Sequence, residues 1–247
     1  MKPDAESFLA QPCKAVTIMG MSGAGKTHTS LMLAAQGWRH YSCDYMIGTK
    51  FLNIPGVTRE DLRPLSAFVG QVGDPAMGGL PLEEFRRRQA LYYEAECQSL
   101  REAGDDVAQA GGRNFINDST GSLCEIEDRD LLDFIGGRTL FVYVKASPEE
   151  EMEILERARH YPKPLFFPRD RFDGWLDSFM REKNVTAVEG IAPDEFSRWV
   201  FPHLFASRLP KYQALADRYG VTVPSEEFKK IDSGKAFLSC IAEALSE

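Results

Sequence analysis

The chain has 247 residues, of which 43% are hydrophobic, and its formal net charge at pH 7 is −8. This size allows one sizeable α/β core with insertions, and the acidic balance argues against nucleic acid as the main partner. The five cysteines are odd in number and scattered, which predicts reduced thiols rather than a disulfide framework or a zinc site.

The first twelve residues carry Lys2, Asp4 and Glu6 among their apolar positions. These charges interrupt any secretory or membrane-spanning pattern. We therefore expect a cytoplasmic protein without membrane association. The four histidines are scattered along the chain, so we assign no metal ion to them.

A glycine-rich loop lies between an expected strand and an expected helix. Residues 15–19 predict a buried strand, and residues 28–36 predict a helix. The loop itself, GMSGAGKT over residues 20–27, has two glycines five apart followed by Lys and a hydroxyl residue. In this context the pattern predicts a loop that binds the phosphates of a nucleotide. A glycine turn that merely caps a helix would not explain Lys26 and Thr27 together.

Each part of this loop has a physical role in holding phosphates. Glycines leave room for backbone N–H groups to point at phosphate oxygens, and the N-terminus of the next helix adds partial positive charge. Lys26 can reach the transferring phosphate of ATP, and Thr27 Oγ1 can bind its Mg²⁺. We expect nucleotide contacts from Gly20, Ser22, Gly23, Ala24, Gly25, Lys26, Thr27 and His28.

Two acidic residues follow expected strands. Residues 38–42 predict a second strand that ends just before Asp44, and residues 115–117 predict a third that runs into Asp118. The carboxyl edge of an open parallel sheet lines the ligand crevice, so both acids are candidate site residues. Asp44 could instead cap a helix, and Asp118 could be an ordinary turn residue.

Between these strands the sequence predicts a lid-like segment and a long helix. Residues 47–80 are rich in Gly and Pro and predict irregular helical pieces on the substrate side. Pro81 precedes a predicted helix over residues 82–102, which carries Arg86. Because Arg87 and Arg88 follow, Arg86 could also belong to a solvated helix face.

The second half of the chain continues the alternation of strands and helices. A strand is predicted over residues 138–145, followed by a helix that ends with Arg157 and Arg159. Three prolines then interrupt residues 161–168, which could close over a nucleotide as a lid. A helix over 209–219, a strand over 221–223 and a helix over 234–246 complete the pattern.

This alternation predicts a single α/β domain over residues 1–247. We expect a three-layer P-loop NTPase fold with a mainly five-stranded parallel sheet, helices on both faces, and a helical lid and insertion over 159–205.

Several segments, in order, resemble the shikimate kinase family of small-molecule kinases, relatives of gluconate kinase and the nucleoside monophosphate kinases. The loop at 20–27 resembles the phosphate loop of that family, and residues 42–44 resemble its two-acid substrate motif. The further resembling segments are 82–86 (a Glu-rich stretch ending in Phe-Arg), 120–121 (the glycine triplet), 141–157 (strand, helix and lid arginine), 163–165 (Arg-Pro-Leu) and 208–217 (the C-terminal helix).

The resemblance implies roles for individual residues. Arg157 would stabilise the transferring phosphoryl group, and Asp44 would orient or deprotonate the acceptor hydroxyl. Arg86 would grip an anionic group of the acceptor, with Gly121 and Lys163 also contributing to substrate binding.

The chain also departs from the family pattern. Ser42 replaces the first acid of the substrate motif, so Asp118 is the candidate to hold Mg²⁺ through water, with Ser42 as the alternative. Gln89 stands in place of a Glu, and Lys163 replaces an Arg whose bidentate clamp a Lys cannot reproduce. These changes disfavour shikimate itself as the substrate, and residues 166–205 look like an insertion.

These observations predict an ATP- and Mg²⁺-dependent kinase that phosphorylates a hydroxyl of a small, anionic metabolite. The alternative is an ATPase or nucleotide-gated module that docks a protein partner through the aromatic residues of the insertion at 166–205. A kinase acting on a nucleic-acid end or on a protein is a third possibility, which the acidic charge disfavours.

Overall fold

The computed structural model describes residues 2–246 and contains a five-stranded parallel sheet. The strands are β1 (Ala15–Met19), β2 (Arg39–Ser42), β3 (Phe115–Asp118), β4 (Leu140–Lys145) and β5 (Gly220–Pro224). Their spatial order is β2-β3-β1-β4-β5, and each strand runs parallel to its neighbours. The predicted α/β class with a mainly five-stranded parallel sheet is confirmed.

Helices connect the strands and flank the sheet. They are α1 (Ala5–Ala10), α2 (Lys26–Ala35), α3 (Cys43–Met46), α4 (Arg63–Val69), α5 (Leu82–Ala108), α6 (Arg129–Gly136), α7 (Pro148–His160), α8 (Arg169–Lys183), α9 (Pro193–Tyr219), α10 (Ser225–Phe228) and α11 (Gly234–Ser246). A π-helical turn covers Ile47–Phe51, and 3₁₀ turns cover Pro75–Met77, Leu123–Glu125 and Val188–Gly190. The glycine loop joins the central strand β1 to α2, as the P-loop NTPase fold requires.

The two faces of the sheet pack against different helices because side chains alternate along each strand. Val142 of β4 belongs to an apolar cluster that includes Leu33 of α2 and Phe237 of α11. The next residue, Tyr143, faces the opposite side and stacks on Tyr212 of α9, with ring centroids 5.2 Å apart. The predicted layers on both faces are therefore present.

The chain forms two compact units. The first contains the sheet and comprises the chain up to Asp44, Glu96–Glu151 and the chain from Leu209 onward. The second comprises Tyr45–Ala95 and Met152–Arg208. Both segments singled out in the sequence, 47–80 and 159–205, belong to the second unit, and the assignment of 1–247 to one domain stays a prediction.

The second unit has its own aromatic core. Phe167 and Phe172 pack against Phe85 of α5, with ring centroids 6.0 and 5.1 Å away. The buried members of this cluster are Val72, Phe85, Phe167, Phe172, Leu176, Phe179, Ile191, Phe196, Val200 and Leu204. Much of the sequence predicted to be an insertion is thus core-forming.

Helix α9 is longer than the sequence predicts. The predicted helix covers residues 209–219, whereas α9 begins at Pro193. Pro202 and Pro210 lie inside it, and an interior proline removes a backbone hydrogen bond and disfavours a helix. Burial explains the difference, because apolar side chains at every fourth position are packed away from solvent. These are Phe196, Val200 and Leu204.

Helix α5 also continues past its predicted end at residue 102. Ala103 is fully buried on this extension. Asp106 lies on the same extension and pairs with Arg39 of β2, at 2.6 Å between Oδ1 and the guanidinium. Packing and an ion pair, both made with residues distant in sequence, therefore lengthen the helix to Ala108.

Two further findings concern the helices and the cysteines. None of the described helices combines the length and apolar character needed to cross a membrane. The cysteines at positions 13, 43, 97, 124 and 240 are free thiols.

The burial of α2 yields a stability prediction. Leu33→Ala should lower the free energy of unfolding by about 2–5 kcal/mol, because Leu33 is fully buried and its truncation leaves a cavity. Leu31→Ala is the matched control on the same helix, since Leu31 is 50% exposed, and it should cost no more than about 0.5 kcal/mol. Urea unfolding measures both, and equal losses in the two variants would contradict the packing described.

Candidate functional site

The glycine loop between β1 and α2 needs its glycines for steric and conformational reasons. Gly20 has φ +144°, and a Cβ at this position would lie 2.8 Å from the carbonyl oxygen of Val144 in β4. Gly25 has φ +86° and is the N-cap of α2, in the left-handed region that favours glycine. The loop can therefore approach β4 closely and turn its backbone N–H groups toward a ligand at the helix N-terminus.

Lys26 is the first residue of α2, and its side chain is buried in this loop. Its ammonium Nζ donates hydrogen bonds to the carbonyl oxygens of Gly20 at 2.8 Å and Met21 at 3.1 Å. A buried ammonium needs such acceptors. The same donors are available to phosphate oxygens when a nucleotide occupies the loop.

Thr27 and Asp118 form a pair of oxygen donors next to Lys26. Thr27 is exposed, and its hydroxyl lies close enough to Asp118 to oppose the rise in the pKa of that carboxylate, which is buried at the end of β3. In the strand register Asp118 is the partner of both Ile18 in β1 and Ser42 in β2. The sheet therefore places Ser42 and Asp118 side by side at its carboxyl edge.

The charges at this edge influence one another. Burial lowers the pKa of Lys26, and the carboxylates of Asp118 and Asp44 oppose that shift. Burial raises the pKa of Asp118, and the Lys26 ammonium and the Thr27 hydroxyl oppose that shift. Lys26 and Asp118 thus each favour the charged form of the other.

Asp44 lies in the short helix α3 that directly follows β2. It is half-buried, and its charge is close enough to act on Lys26. Its backbone is set by Cys43, whose buried thiol donates to Asn117 Oδ1 of β3 at 3.2 Å. The structure therefore gathers Lys26, Thr27, Asp44 and Asp118 at one edge of the sheet.

Residues 119–122 form a polar turn that is held from two sides. Glu96 of α5 accepts hydrogen bonds from the hydroxyls of Thr120 and, at 2.8 Å, Ser122. The Tyr212 hydroxyl donates to the carbonyl oxygen of Gly121 at 2.6 Å. A Cβ on Gly121 would lie 3.7 Å from the backbone nitrogen of Ser22. The turn is thereby fixed next to the phosphate loop.

Sequence reasoning missed the residues that hold this turn. Glu96 is an acidic residue on the buried face of α5, between Tyr92 and Leu100 at four-residue spacing, and that irregularity was the available signal. The pair of Glu125 and Lys211 was also missed: Glu125 is buried and accepts a hydrogen bond from the Lys211 ammonium. Nothing in the local sequence around Glu125 indicates a partner 86 positions away.

The other predicted site residues belong to the second unit. Arg157 is exposed in the last turn of α7, and Lys163 is exposed in the non-helical segment that follows. Arg86 is on α5 and pairs with Asp173 of α8 at 2.8 Å. Gln89 holds the chain after Lys163 in place, since its amide donates to Leu165 O at 3.2 Å and accepts from Phe167 N at 2.9 Å.

Thr27 and Asp118 could bind Mg²⁺ only together with the phosphate oxygens of a nucleotide. Within residues 2–246 no group of three or more His, Cys, Asp or Glu could hold a metal ion. Mg²⁺ often takes only one or two protein ligands and completes its shell with water and phosphate oxygens. The hydroxyl of Thr27 and the carboxylate of Asp118 match that requirement.

Comparison with known proteins finds similarity in structure but not in sequence. No family model matches the chain, and no curated protein matches it. The chain is similar to shikimate kinase from Bacteroides thetaiotaomicron, with 15% identity, 95% of this chain and 99% of that chain covered, and a TM-score of 0.47. It is also similar to shikimate kinase from Acinetobacter baumannii in complex with shikimate, with 14% identity, 83% of this chain and 99% of that chain covered, and a TM-score of 0.36. A third similar structure is that of a gluconokinase from Sinorhizobium meliloti 1021, with 17% identity, 88% of this chain and 98% of that chain covered, and a TM-score of 0.29.

With identities and TM-scores this low, function has to be inferred from the residues of the site.

The turn at 119–122 yields a prediction about Glu96. Glu96→Ala should lower the free energy of unfolding by about 2–4 kcal/mol, because two buried hydroxyl donors lose their acceptor. Glu96→Gln is the matched control: its amide oxygen can still accept both hydrogen bonds, so it should cost less than half as much. Urea unfolding of the full chain compares them, and an equal loss in both variants would show that charge, not hydrogen bonding, matters here.

Proposed function

We propose that the protein is an ATP-dependent kinase that transfers a phosphoryl group to a hydroxyl of a small, anionic metabolite. The observation that carries this proposal is the buried Lys26 ammonium inside a glycine loop, beside the Thr27–Asp118 pair and within electrostatic reach of Asp44. Binding a triphosphate explains the first three residues. The second carboxylate, at the end of a neighbouring strand, suits an acceptor hydroxyl.

The backbone N–H groups of residues 20–27, with Ser22, Ala24 and His28 among them, would hold the phosphates. Lys26 would exchange its bonds to Gly20 and Met21 for bonds to phosphate oxygens and neutralise charge that develops during transfer. Thr27 would ligate Mg²⁺ directly and Asp118 through water. When bound, that ion would neutralise charge on the phosphates.

The transfer itself needs an oriented acceptor. Its hydroxyl oxygen attacks the γ-phosphorus while the bond from that phosphorus to the bridging oxygen breaks, which leaves ADP. Asp44 would orient the hydroxyl and accept its proton. Asp44 is half-buried, and the Lys26 ammonium is within electrostatic reach of its carboxylate.

The remaining assignments concern the phosphoryl group and the acceptor. Arg157 is an exposed arginine at the end of α7, followed by a proline-rich segment, which is where a mobile cation could close on a phosphate. Arg86 would bind the anionic group of the acceptor, and Gly121 and Lys163 would contribute further contacts. Cytoplasmic location remains part of this proposal.

The alternative function is less well supported by the structure. A nucleotide-gated module that docks a protein through the aromatics of 166–205 needs those side chains at the surface. Most of them are in the core of the second unit instead. The buried ones are Phe166, Phe167, Phe172, Phe179, Phe196 and Phe205.

The role of Lys26 can be tested without knowing the acceptor. Lys26→Ala should reduce turnover of ATP by about 10²-fold or more, because it removes one charged donor to the transferring phosphate. ATP hydrolysis in the presence of Mg²⁺ measures this, with circular dichroism to check folding. Lys235→Ala is the control, since Lys235 is an exposed lysine in the first turn of α11. Unchanged turnover and nucleotide affinity in the Lys26 variant would rule out the proposed role.

The role of Asp44 requires an acceptor. A thermal-shift screen of metabolites with a non-hydrolysable ATP analogue and Mg²⁺ can find one, because a ligand at 100 times its Kd stabilises by about 2.7 kcal/mol. Asp44→Asn should then retain binding of the ATP analogue but lose transfer to that acceptor, by about 10²-fold or more. Asp105→Asn, an exposed acid on α5, is the control. Transfer at the wild-type rate in Asp44→Asn would make Asp44 structural.

A further inference from the structure

The second unit contains a cavity of about 270 Å³ with aromatic walls and two arginines. The lining residues that matter here are Arg86, Gln89, Tyr93, Phe166, Arg169 and Asp173. Arg86 and Tyr93 come from α5, Arg169 and Asp173 from the first turns of α8, and Phe166 from the chain between. Of these, only Arg86 was predicted from the sequence to bind a substrate.

The walls of this cavity are held in place by the protein itself. The Phe166 ring is nearly parallel to that of Tyr93, with an interplanar angle of 13° and centroids 6.3 Å apart, and lies 5.3 Å from that of Tyr92. Gln89 fixes the backbone on both sides of Phe166 through its bonds to Leu165 and Phe167. The cavity therefore presents preformed aromatic surface to a ligand.

Its two arginines are in different electrostatic situations. Arg86 donates a hydrogen bond to Asp173 at 2.8 Å, so its charge is compensated. Arg169 stands over the ring of Tyr93, with the guanidinium carbon 5.5 Å from the ring centroid. Among residues 2–246 no carboxylate forms an ion pair with Arg169. Arg86 also pairs with the carboxylate of Glu83, at 3.7 Å, so the cavity arginine whose charge is not compensated by an ion pair among these residues is Arg169.

We propose that this cavity binds the anionic end of a small molecule with a flat or apolar body, and that Arg169 and Asp173 determine its specificity. Arg169 would bind the oxyanion of the ligand, which is either a carboxylate or a phosphate, while the flat or apolar body of the ligand packs against Tyr93 and Phe166. Asp173 would compete with the ligand for Arg86. The proposal deepens the proposed function, on which it rests, because it specifies the class of acceptor that Arg86 would help to bind.

Asp173 gives the site a means of discrimination. A ligand oxyanion that engages Arg86 must displace the Asp173 carboxylate or accept its repulsion, so only an anion that binds Arg86 more strongly than Asp173 does gains from this arginine. Replacement of Asp173 by Asn removes the repulsion and leaves a neutral side chain of the same shape. Anion binding should therefore become tighter in Asp173→Asn, whereas binding of a neutral analogue should not change.

The test uses probes of known chemistry on the full chain, by isothermal titration calorimetry. Benzoate and phenyl phosphate carry the two candidate oxyanions on a flat ring, benzamide is the neutral analogue, and inorganic phosphate lacks the ring. The variants are Arg169→Ala, Arg169→Lys and Asp173→Asn. Arg171→Ala is the matched control, because Arg171 is an exposed arginine in the same turn of α8 that pairs with Asp170.

We expect saturable binding of at least one ring-bearing anion, tighter than that of benzamide and of inorganic phosphate. Arg169→Ala should weaken this binding by about 10-fold or more, since a charged hydrogen-bond partner is lost. The affinity of Arg169→Lys should lie between those of the wild type and Arg169→Ala. Asp173→Asn should tighten it, and Arg171→Ala should leave it unchanged. Whichever of benzoate and phenyl phosphate binds more tightly identifies the oxyanion.

Three results would overturn the proposal: no saturable binding of either ring-bearing anion, equal affinity for benzamide, or the same effect of Arg169→Ala and Arg171→Ala. Anion binding tests the cavity proposal, whereas ATP turnover in Lys26→Ala tests the proposed function, so the two results can be separated. Loss of turnover in that variant without anion binding would refute the cavity assignment alone. Anion binding with unchanged turnover in Lys26→Ala would refute the kinase assignment alone.

Discussion

The burial of one ammonium group constrains much of the first unit. Lys26 Nζ is removed from water and needs acceptors, which the carbonyl groups of Gly20 and Met21 supply. Those carbonyls can be near it only because the chain turns sharply at Gly20, where any side chain would collide with the backbone of β4. The loop, the first turn of α2 and the close approach to β4 are therefore parts of one arrangement around one charge.

The acids nearby are placed by the sheet and offset that charge. Burial raises the pKa of Asp118, and Lys26 and Thr27 oppose that rise. The neighbouring turn is stabilised in a similar way, since hydroxyls of Thr120 and Ser122 converge on the buried Glu96. Buried polar groups of this kind are tolerated because each meets a partner, and the partners fix the geometry of the site.

Much of the fold follows from local patterns in the sequence. The five strands and the helix after the glycine loop were predicted to within a few residues, because short apolar runs and the glycine turns beside them are local signals. Helix α9 was predicted only from residue 209, although it starts at Pro193. Its prolines signal a break locally, whereas the burial of Phe196, Val200 and Leu204 depends on aromatic residues far along the chain.

The candidate site divides in the same way. The sequence by itself determined the phosphate loop, the acids at the ends of β2 and β3, and the arginines worth considering, because residue type, spacing and position after a strand are all local. Only the tertiary structure decided that Thr27 lies beside Asp118 and that Glu96 and Tyr212 hold the turn at Gly121. It also decided that Arg86 pairs with Asp173, while Arg169 does not pair with a carboxylate among the described residues. The physical reason is that a hydrogen bond or ion pair needs two groups within about 3–4 Å. For residues 87 or 91 positions apart, as in Arg86–Asp173 and Gly121–Tyr212, that proximity is set by the packing of helices and strands.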